Sequence, residues 1–287
     1  MGYNLCIIIN NHCNLKCKYC FYVSGLHKHK NSEIDLTKIE RFTRCLSKKR
    51  EISQITLTGG EPFLYSRLGE MTTRLSFYCP KITICTNGTI NMENDIRWII
   101  NNDIDLHISL DSPRQEYIKE HRGGYSKLMT NLNMLSKKGF KNLTLSCALT
   151  KYNIGHLEEL KLFADNIGAD VELNMLQSKN MKYNWTSDEI MHEYPVKNVF
   201  NDFLQERSEF YWKLLQFLLK GHKIKNCPHT KKRIVVDCDG SVYPCFHART
   251  KIGHYDENTS DILIAQSLFA KNNYFCTASD VCCFNEI

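Results

Sequence analysis

"LCIIINNHCNLKCKYC", Leu5 to Cys20, sets an apolar β-type run directly against three cysteines in the spacing C-x3-C-x2-C. Leu5–Ile9 is short and rich in isoleucine, as a buried strand is, and the chain leaves it through a polar loop rather than a helix. The same arrangement, a strand running into a chemically loaded loop, recurs along the chain. Gln54–Thr58 runs into "TGGEP" (58–62), Lys81–Cys85 into "TNG" (86–88), and Asp105–Leu110 into "SLDS" (109–112). Thr144–Leu149 and Asp170–Met175 read as two further strands.

Helix-length amphipathic stretches lie between these runs, at about 35–49, 66–78, 92–102, 125–138 and 156–167. Asp35, Asn91 and Ser126 suit N-cap positions, and Gly139 and Gly168 suit helix stops. Strict strand–helix alternation predicts a parallel sheet with right-handed crossovers. Six strands then give an α/β fold, a partial (β/α)6 TIM-type barrel open on one side. Ligands of such barrels gather at the C-terminal ends of the strands. The cysteine triad, "TGGEP", "TNG" and "SLDS" all fall at that edge.

Composition narrows the class. With 43% hydrophobic and 24% charged residues the chain has a globular profile, and no apolar run approaches the roughly 20 residues of a membrane helix. Fourteen cysteines without a signal-peptide-like start point to the reducing cytoplasm, where clustered thiols serve metals more often than disulfides. Cys6, Cys45, Cys79, Cys85 and Cys147 are scattered in apolar or helical contexts and read as packing residues. The net charge of +6 comes from short clusters such as Lys48-Lys49-Arg50 and does not by itself predict nucleic-acid binding.

Three thiolates on one loop can hold three corners of a 4Fe–4S cube, whereas structural zinc wants four protein ligands. The cube then keeps one iron open. "CNLKCKYC", with an aromatic residue before its third cysteine and "GGE" after the second strand, resembles the radical S-adenosylmethionine (SAM) enzymes over roughly residues 1–180. The resemblance implies a 4Fe–4S cluster on Cys13, Cys17 and Cys20 whose open iron binds SAM. It implies that Gly59 and Gly60 allow close backbone approach to that ligand and that Glu61 accepts from its ammonium group. Tyr19 is expected near the adenine, Ser109 and Asp111 near ribose or methionine, and Arg122 against the carboxylate. Asn87 is a further SAM-contact candidate. For Gly59-Gly60 the competing reading is a tight turn, for Asp111 a helix cap, for Arg122 a surface salt bridge.

From about residue 177 to 226 the alternation stops, and "VFNDFLQERSEFYWKLLQFLL" reads as a bridging helix. Beyond it "RIVVDCDGSVYPC" alternates around Asp239-Gly240, a hairpin turn signal. Expected boundaries are therefore 1–180 for the barrel, 181–226 for the bridge and 227–287 for a small cysteine-rich module. Cys227, twelve residues, Gly240, four residues and Cys245 resemble the opening of the C-terminal SPASM and twitch modules of radical SAM enzymes. The later cysteines fall short of a full SPASM set. The resemblance thus implies a twitch-like module with one auxiliary 4Fe–4S cluster on Cys227, Cys245, Cys276 and Cys282, taken ahead of Cys283. Cys238 is either a ligand or core. One of Cys282 and Cys283 is a candidate hydrogen-atom donor, and structural zinc on the same four thiolates is the competing reading.

These matches imply an enzyme that cleaves SAM to a 5′-deoxyadenosyl radical and takes a hydrogen atom from a ribosomally made peptide or protein, giving a crosslink, oxidation or epimerisation. Dehydrogenation or epimerisation of a small metabolite is the alternative; a zinc-stabilised binding module or a two-cluster electron carrier is the reading outside this class. A first strand starting by residue 5 is expected to leave no room for an N-terminal leader-recognition domain, so a separate leader-binding partner is foreseen. A flavodoxin- or ferredoxin-type reductant is expected, and neither nucleic acid nor membrane.

Overall fold

A computed structural model describes residues 2–20, 32–175, 183, 231–246 and 250–271. The six expected strands are present, within a residue or two: β1 Tyr3–Asn10, β2 Ile52–Gly59, β3 Ile82–Thr86, β4 Asp105–Ser109, β5 Leu143–Leu149 and β6 Asp170–Met175. They pair in parallel and in sequence order. Helices α1 Leu36–Ser47, α2 Leu68–Ser76, α3 Ile96–Asn101, α4 Gln115–His121, α5 Tyr125–Lys137 and α6 Leu157–Ile167 fill the crossovers. The expected partial barrel is thus the observed architecture.

The helices form where an apolar stripe can be buried. In α1 Leu36, Ile39, Phe42 and Leu46 recur at helical spacing and are all buried, and Asp35 caps the helix by accepting from Lys38 N at 3.0 Å. They pack on Leu5, Ile7 and Ile9 of β1 and on the matching positions of the other strands in one continuous core. Burying a side chain the size of Phe42 contributes about 2–3 kcal/mol. Two expected caps are corrected. Asn91 accepts from Glu93 N and caps a turn, so α3 starts only at Ile96. Ser126 lies inside α5, because Gly123 and Gly124, both at positive φ, turn the chain into the helix one step earlier. Gly139 and Gly168 do follow helices in the left-handed conformation.

The expected hairpin is β7 Arg233–Val236 and β8 Ser241–Tyr243, antiparallel, turning through Gly240 at φ 87°. Its setting is not legible locally. β7 pairs in parallel with β1, Asn4 against Arg233 through Ile7 against Val236, so β1 is an interior strand. With β9 Gly253–His254 the described strands form one nine-stranded sheet, ordered β6-β5-β4-β3-β2-β1-β7-β8-β9. A further helix, α7 Thr259–Lys271, lies against α1, where Lys38 and Arg41 meet Asp256 at 2.9 and 2.5 Å. Apart from Tyr183, the bridging region expected at 181–226, with its helix at "VFNDFLQERSEFYWKLLQFLL", lies outside the described residues. Among the described residues no helix is long and apolar enough to cross a membrane.

Candidate active site

β1 ends at Asn10 and delivers the cysteine loop to the C-terminal edge of the sheet. Cys20 lies close enough to Cys13 and Cys17 to act on the ionisation of both, and Cys13 acts likewise on Cys17. Burial pushes the Cys17 thiol up to about 11, with the neighbouring Arg122 guanidinium opposing, and burial also raises Cys13. Iron would therefore have to displace protons to bind. Among the described residues no three His, Cys, Asp or Glu side chains converge on a point that suits a single metal ion. A cube asks for no such convergence, since each thiolate takes its own iron. Three neighbouring, partly accessible thiols on one loop are a donor set that fits a 4Fe–4S cluster with one open iron.

The loop is clamped against the next strand's end by backbone bonds and by the Asn10 side chain. Gly60 N donates to Asn10 O at 3.0 Å, and Glu61 N to His12 O at 2.6 Å. The buried Asn10 amide donates to Glu61 O at 2.9 Å. A Cβ on Gly60 would stand 2.0 Å from His12 O, and one on Gly59 2.5 Å from Asn10 O. In this structure the close approach that the two glycines were expected to allow is made by the protein's own β1 and loop.

Glu61 is fully buried, and three protein donors occupy its carboxylate: Thr86 Oγ1 at 2.6 Å, Asn87 N at 2.8 Å and Phe63 N at 3.1 Å. Burial raises its pKa and these donors oppose the rise. The side chain binds the end of β2 to the end of β3. Asn87 follows β3 and carries its amide to the loop, donating to Asn14 Oδ1 at 2.9 Å and to Cys13 Sγ at 3.7 Å.

On the other side of the loop Asp111, just past β4, is buried completely. It accepts from Ala148 N at 2.8 Å, from the Tyr19 hydroxyl, and from Arg122 Nη1 at 3.2 Å. The competing surface-bridge reading of Arg122 is wrong in location, since its side chain is only 9% exposed. Burial pushes the Asp111 carboxyl up against the pull of Arg122; burial disfavours the Arg122 charge, but Asp111 and Cys17 hold it on. Arg122 thus joins β4's end to the cysteine loop, and Lys18 N adds a bond to His121 O at 2.9 Å. Ser109 ends β4, half-buried. Tyr19 is buried edge-on to Tyr183, their centroids 5.4 Å apart. Asn10, Asn14, Thr86 and Thr89 complete the site and were not singled out in the sequence; their signal was polar residues at the last position of a strand or just beyond it.

The sheet face turned away from the helices is apolar at β1 and β7, where Cys6, Ile8 and Val235 meet Tyr243 and Phe246. From β2 to β6 it is polar. Gln54 donates to Thr83, Asn174 donates to Ser146, and His107 Nδ1 stands 3.2 Å from Glu172 Oε2. His107 and Glu172 sit on β4 and β6, about 10 Å apart in a flat sheet, so this face is concave.

Of the tail cysteines, Cys238 is buried and its thiol is pushed up to about 12 by burial and by Asp237, as a core residue would be. Cys245 is half-buried, two residues past the end of β8. Cys227, Cys276, Cys282 and Cys283 lie outside the described residues. Cys6, Cys79 and Cys147 are buried as packing cysteines should be, while Cys45 and Cys85 are half-buried.

The family model for the Radical SAM superfamily matches residues 7–164. The mycofactocin maturase MftC of Mycobacterium ulcerans is 27% identical over 168 residues, 58% of this chain and 45% of that protein. A GTP 3′,8-cyclase of Synechocystis is 25% identical over 180 residues, 62% of this chain and 54% of that protein. The chain thus spans about half the length of these relatives. Streptococcus suis SuiB bound to its precursor peptide SuiA has the same fold, with a TM-score of 0.72 at 15% identity, over 96% of this chain and 67% of that one.

Proposed function

Because the chain belongs to the radical SAM superfamily, whose members use a 4Fe–4S cluster and SAM, we propose that it modifies a ribosomally synthesised peptide or protein by radical chemistry. When bound, the reduced cluster and SAM supply a 5′-deoxyadenosyl radical, which abstracts hydrogen. Cys13, Cys17 and Cys20 would hold three irons. Gly59, Gly60 and Glu61 keep the loop against β2, and Asp111 with Arg122 keeps it against β4, so the loop that would hold the cluster is fixed at the C-terminal edge of the sheet. Tyr19, Asn87, Ser109, Asp111 and Arg122 border the SAM site in this reading. The polar inner face, with His107 and Glu172, would receive the substrate segment and exclude water from it. The arrangement of three neighbouring thiols at the mouth of this face is the observation that carries the reading.

The peptide class is supported by the maturase relative and by the fold shared with a protein that takes a precursor peptide. The GTP 3′,8-cyclase relative favours a second reading, a small-molecule substrate. An auxiliary cluster on Cys227, Cys245, Cys276 and Cys282 belongs to the proposal, as do a thiol of the Cys282-Cys283 pair as hydrogen donor, a flavodoxin- or ferredoxin-class reductant, a leader-binding partner and a cytoplasmic setting.

Anaerobically reconstituted protein should carry about eight irons, and the Cys13→Ala/Cys17→Ala/Cys20→Ala variant about four. Under dithionite with SAM, 5′-deoxyadenosine should form in wild type and vanish in Cys17→Ala; persistent formation there would refute the site. About four irons in wild type, with no loss in Cys227→Ala/Cys245→Ala, would remove the auxiliary cluster while leaving the rest. Substrate class is read by incubating the enzyme with the short peptides encoded beside its gene and with GTP, and seeking a SAM-dependent mass change in each.

A further inference from the structure

The contacts that clamp the cysteine loop fall unevenly on its thiols. Cys13 Sγ accepts from two N–H donors, the backbone of Leu15 at 3.4 Å and the side chain of Asn87 at 3.7 Å. The Asn87 amide is fixed in place. Its Oδ1 accepts from Thr89 N at 2.8 Å and from Thr89 Oγ1 at 2.6 Å, and its Nδ2 donates to Asn14 Oδ1 at 2.9 Å as well as to the sulfur. Asn14 Nδ2 closes the ring on Thr89 Oγ1 at 2.8 Å. A backbone N–H can only donate, so the bond from Thr89 N fixes which end of the Asn87 amide is oxygen and turns its NH2 toward Cys13. Both amide hydrogens and both lone pairs of the oxygen are thereby used, which leaves Asn87 no group to spare for SAM. Asn87 and Thr89 are buried, so water does not replace these bonds.

We infer that Asn87, held by Asn14 and Thr89, is a positioning residue that sets the reduction potential of the cluster at Cys13, Cys17 and Cys20. The inference rests on the radical SAM reading of those cysteines. When such a cluster accepts an electron, negative charge on its sulfur ligands grows. An N–H aimed at a ligand sulfur stabilises that charge and makes reduction easier. The Leu15 donor belongs to the backbone and survives substitution. Asn87 is the side-chain contribution, and it tells the cluster loop that the end of β3 is in place.

The test is a dithionite redox titration of the reconstituted full chain, followed by electron paramagnetic resonance on the signal that changes when SAM is added, with iron counted in each sample. Asn87→Ala should keep wild-type iron and shift the midpoint to lower potential by about tenfold in the reduction equilibrium, about 59 mV for one electron. Asn87→Asp, which replaces the donor by a negative acceptor, should shift it further. Thr89→Val and Asn14→Ala loosen the amide without removing it and should give smaller shifts of the same sign. A midpoint unchanged in Asn87→Ala at full iron would overturn the inference and make Asn87 a loop anchor only. If Asn87→Ala takes up no iron, unchanged midpoints in both Thr89→Val and Asn14→Ala would overturn it equally. Absence of any SAM-responsive cluster in wild type would instead bring down the reading beneath it.

Discussion

Replacing Gly60 by alanine tests whether the glycines serve the chain's own backbone. The new Cβ would stand 2.0 Å from His12 O and 2.4 Å from His12 C, where real contacts do not fall below 3.0 Å. The loop backbone must therefore retreat by about 1 Å, the difference between those distances, and it cannot rotate away as a side chain would. Retreat stretches the bonds from Glu61 N to His12 O and from Gly60 N to Asn10 O. Two weakened backbone bonds at about 1 kcal/mol each, with about 1–3 kcal/mol of overpacking, predict a loss of about 3–5 kcal/mol. Gly139→Ala is the control. It adds a Cβ into open space at φ 65°, so it carries only the left-handed strain of about 1–2 kcal/mol. Urea unfolding measures the stability, and iron content with 5′-deoxyadenosine formation measures the site. A displacement of 1 Å at the reacting centre should lower the rate about a hundredfold. A Gly60→Ala protein that unfolds within 1 kcal/mol of wild type and cleaves SAM at the wild-type rate would refute the reasoning.

Two further outcomes follow from buried polar groups. Arg122→Met strands the buried Asp111 carboxylate with Tyr19 and Ala148 alone, and should cost about 3–5 kcal/mol in urea unfolding. Adding Asp111→Asn should recover much of that loss, and strictly additive costs would show that the pair does not interact. Glu61→Gln faces Thr86, Asn87 and Phe63 with one acceptor oxygen in place of two; the Thr86 hydroxyl can turn but a backbone N–H cannot, so about 1–3 kcal/mol should be lost, and an unchanged unfolding midpoint would contradict the brace drawn for this carboxylate.

The strands were legible because each is a short β-type run bounded by turn residues, and their order followed because alternation with helices admits few topologies. The hairpin was legible from Asp239-Gly240. Its neighbour was not, since the parallel pairing of Asn4 with Arg233 joins residues more than two hundred positions apart and leaves no local trace. Helix α4 escaped notice because seven residues, "QEYIKEH", are too few to show a period. At the site, residue types announced their edge of the sheet but not their partners. Gly59 and Gly60 were visible as a close approach, yet what approaches is Asn10 and His12. Asp111 and Arg122 were visible as separate charges, yet they spend much of their charge on each other. Spacing reports which atoms a loop carries; only packing reports which of them remain available.

The interior position of β1 also bears on the order of events during synthesis. This strand leaves the ribosome more than two hundred residues ahead of residues 233–236, which cover one of its two edges. Until then the strand that carries the triad exposes a row of unpaired backbone groups, a template for wrong pairing. A cell would gain by delaying iron delivery until translation has passed the hairpin, and premature termination upstream of Arg233 should yield an insoluble fragment rather than a smaller working barrel.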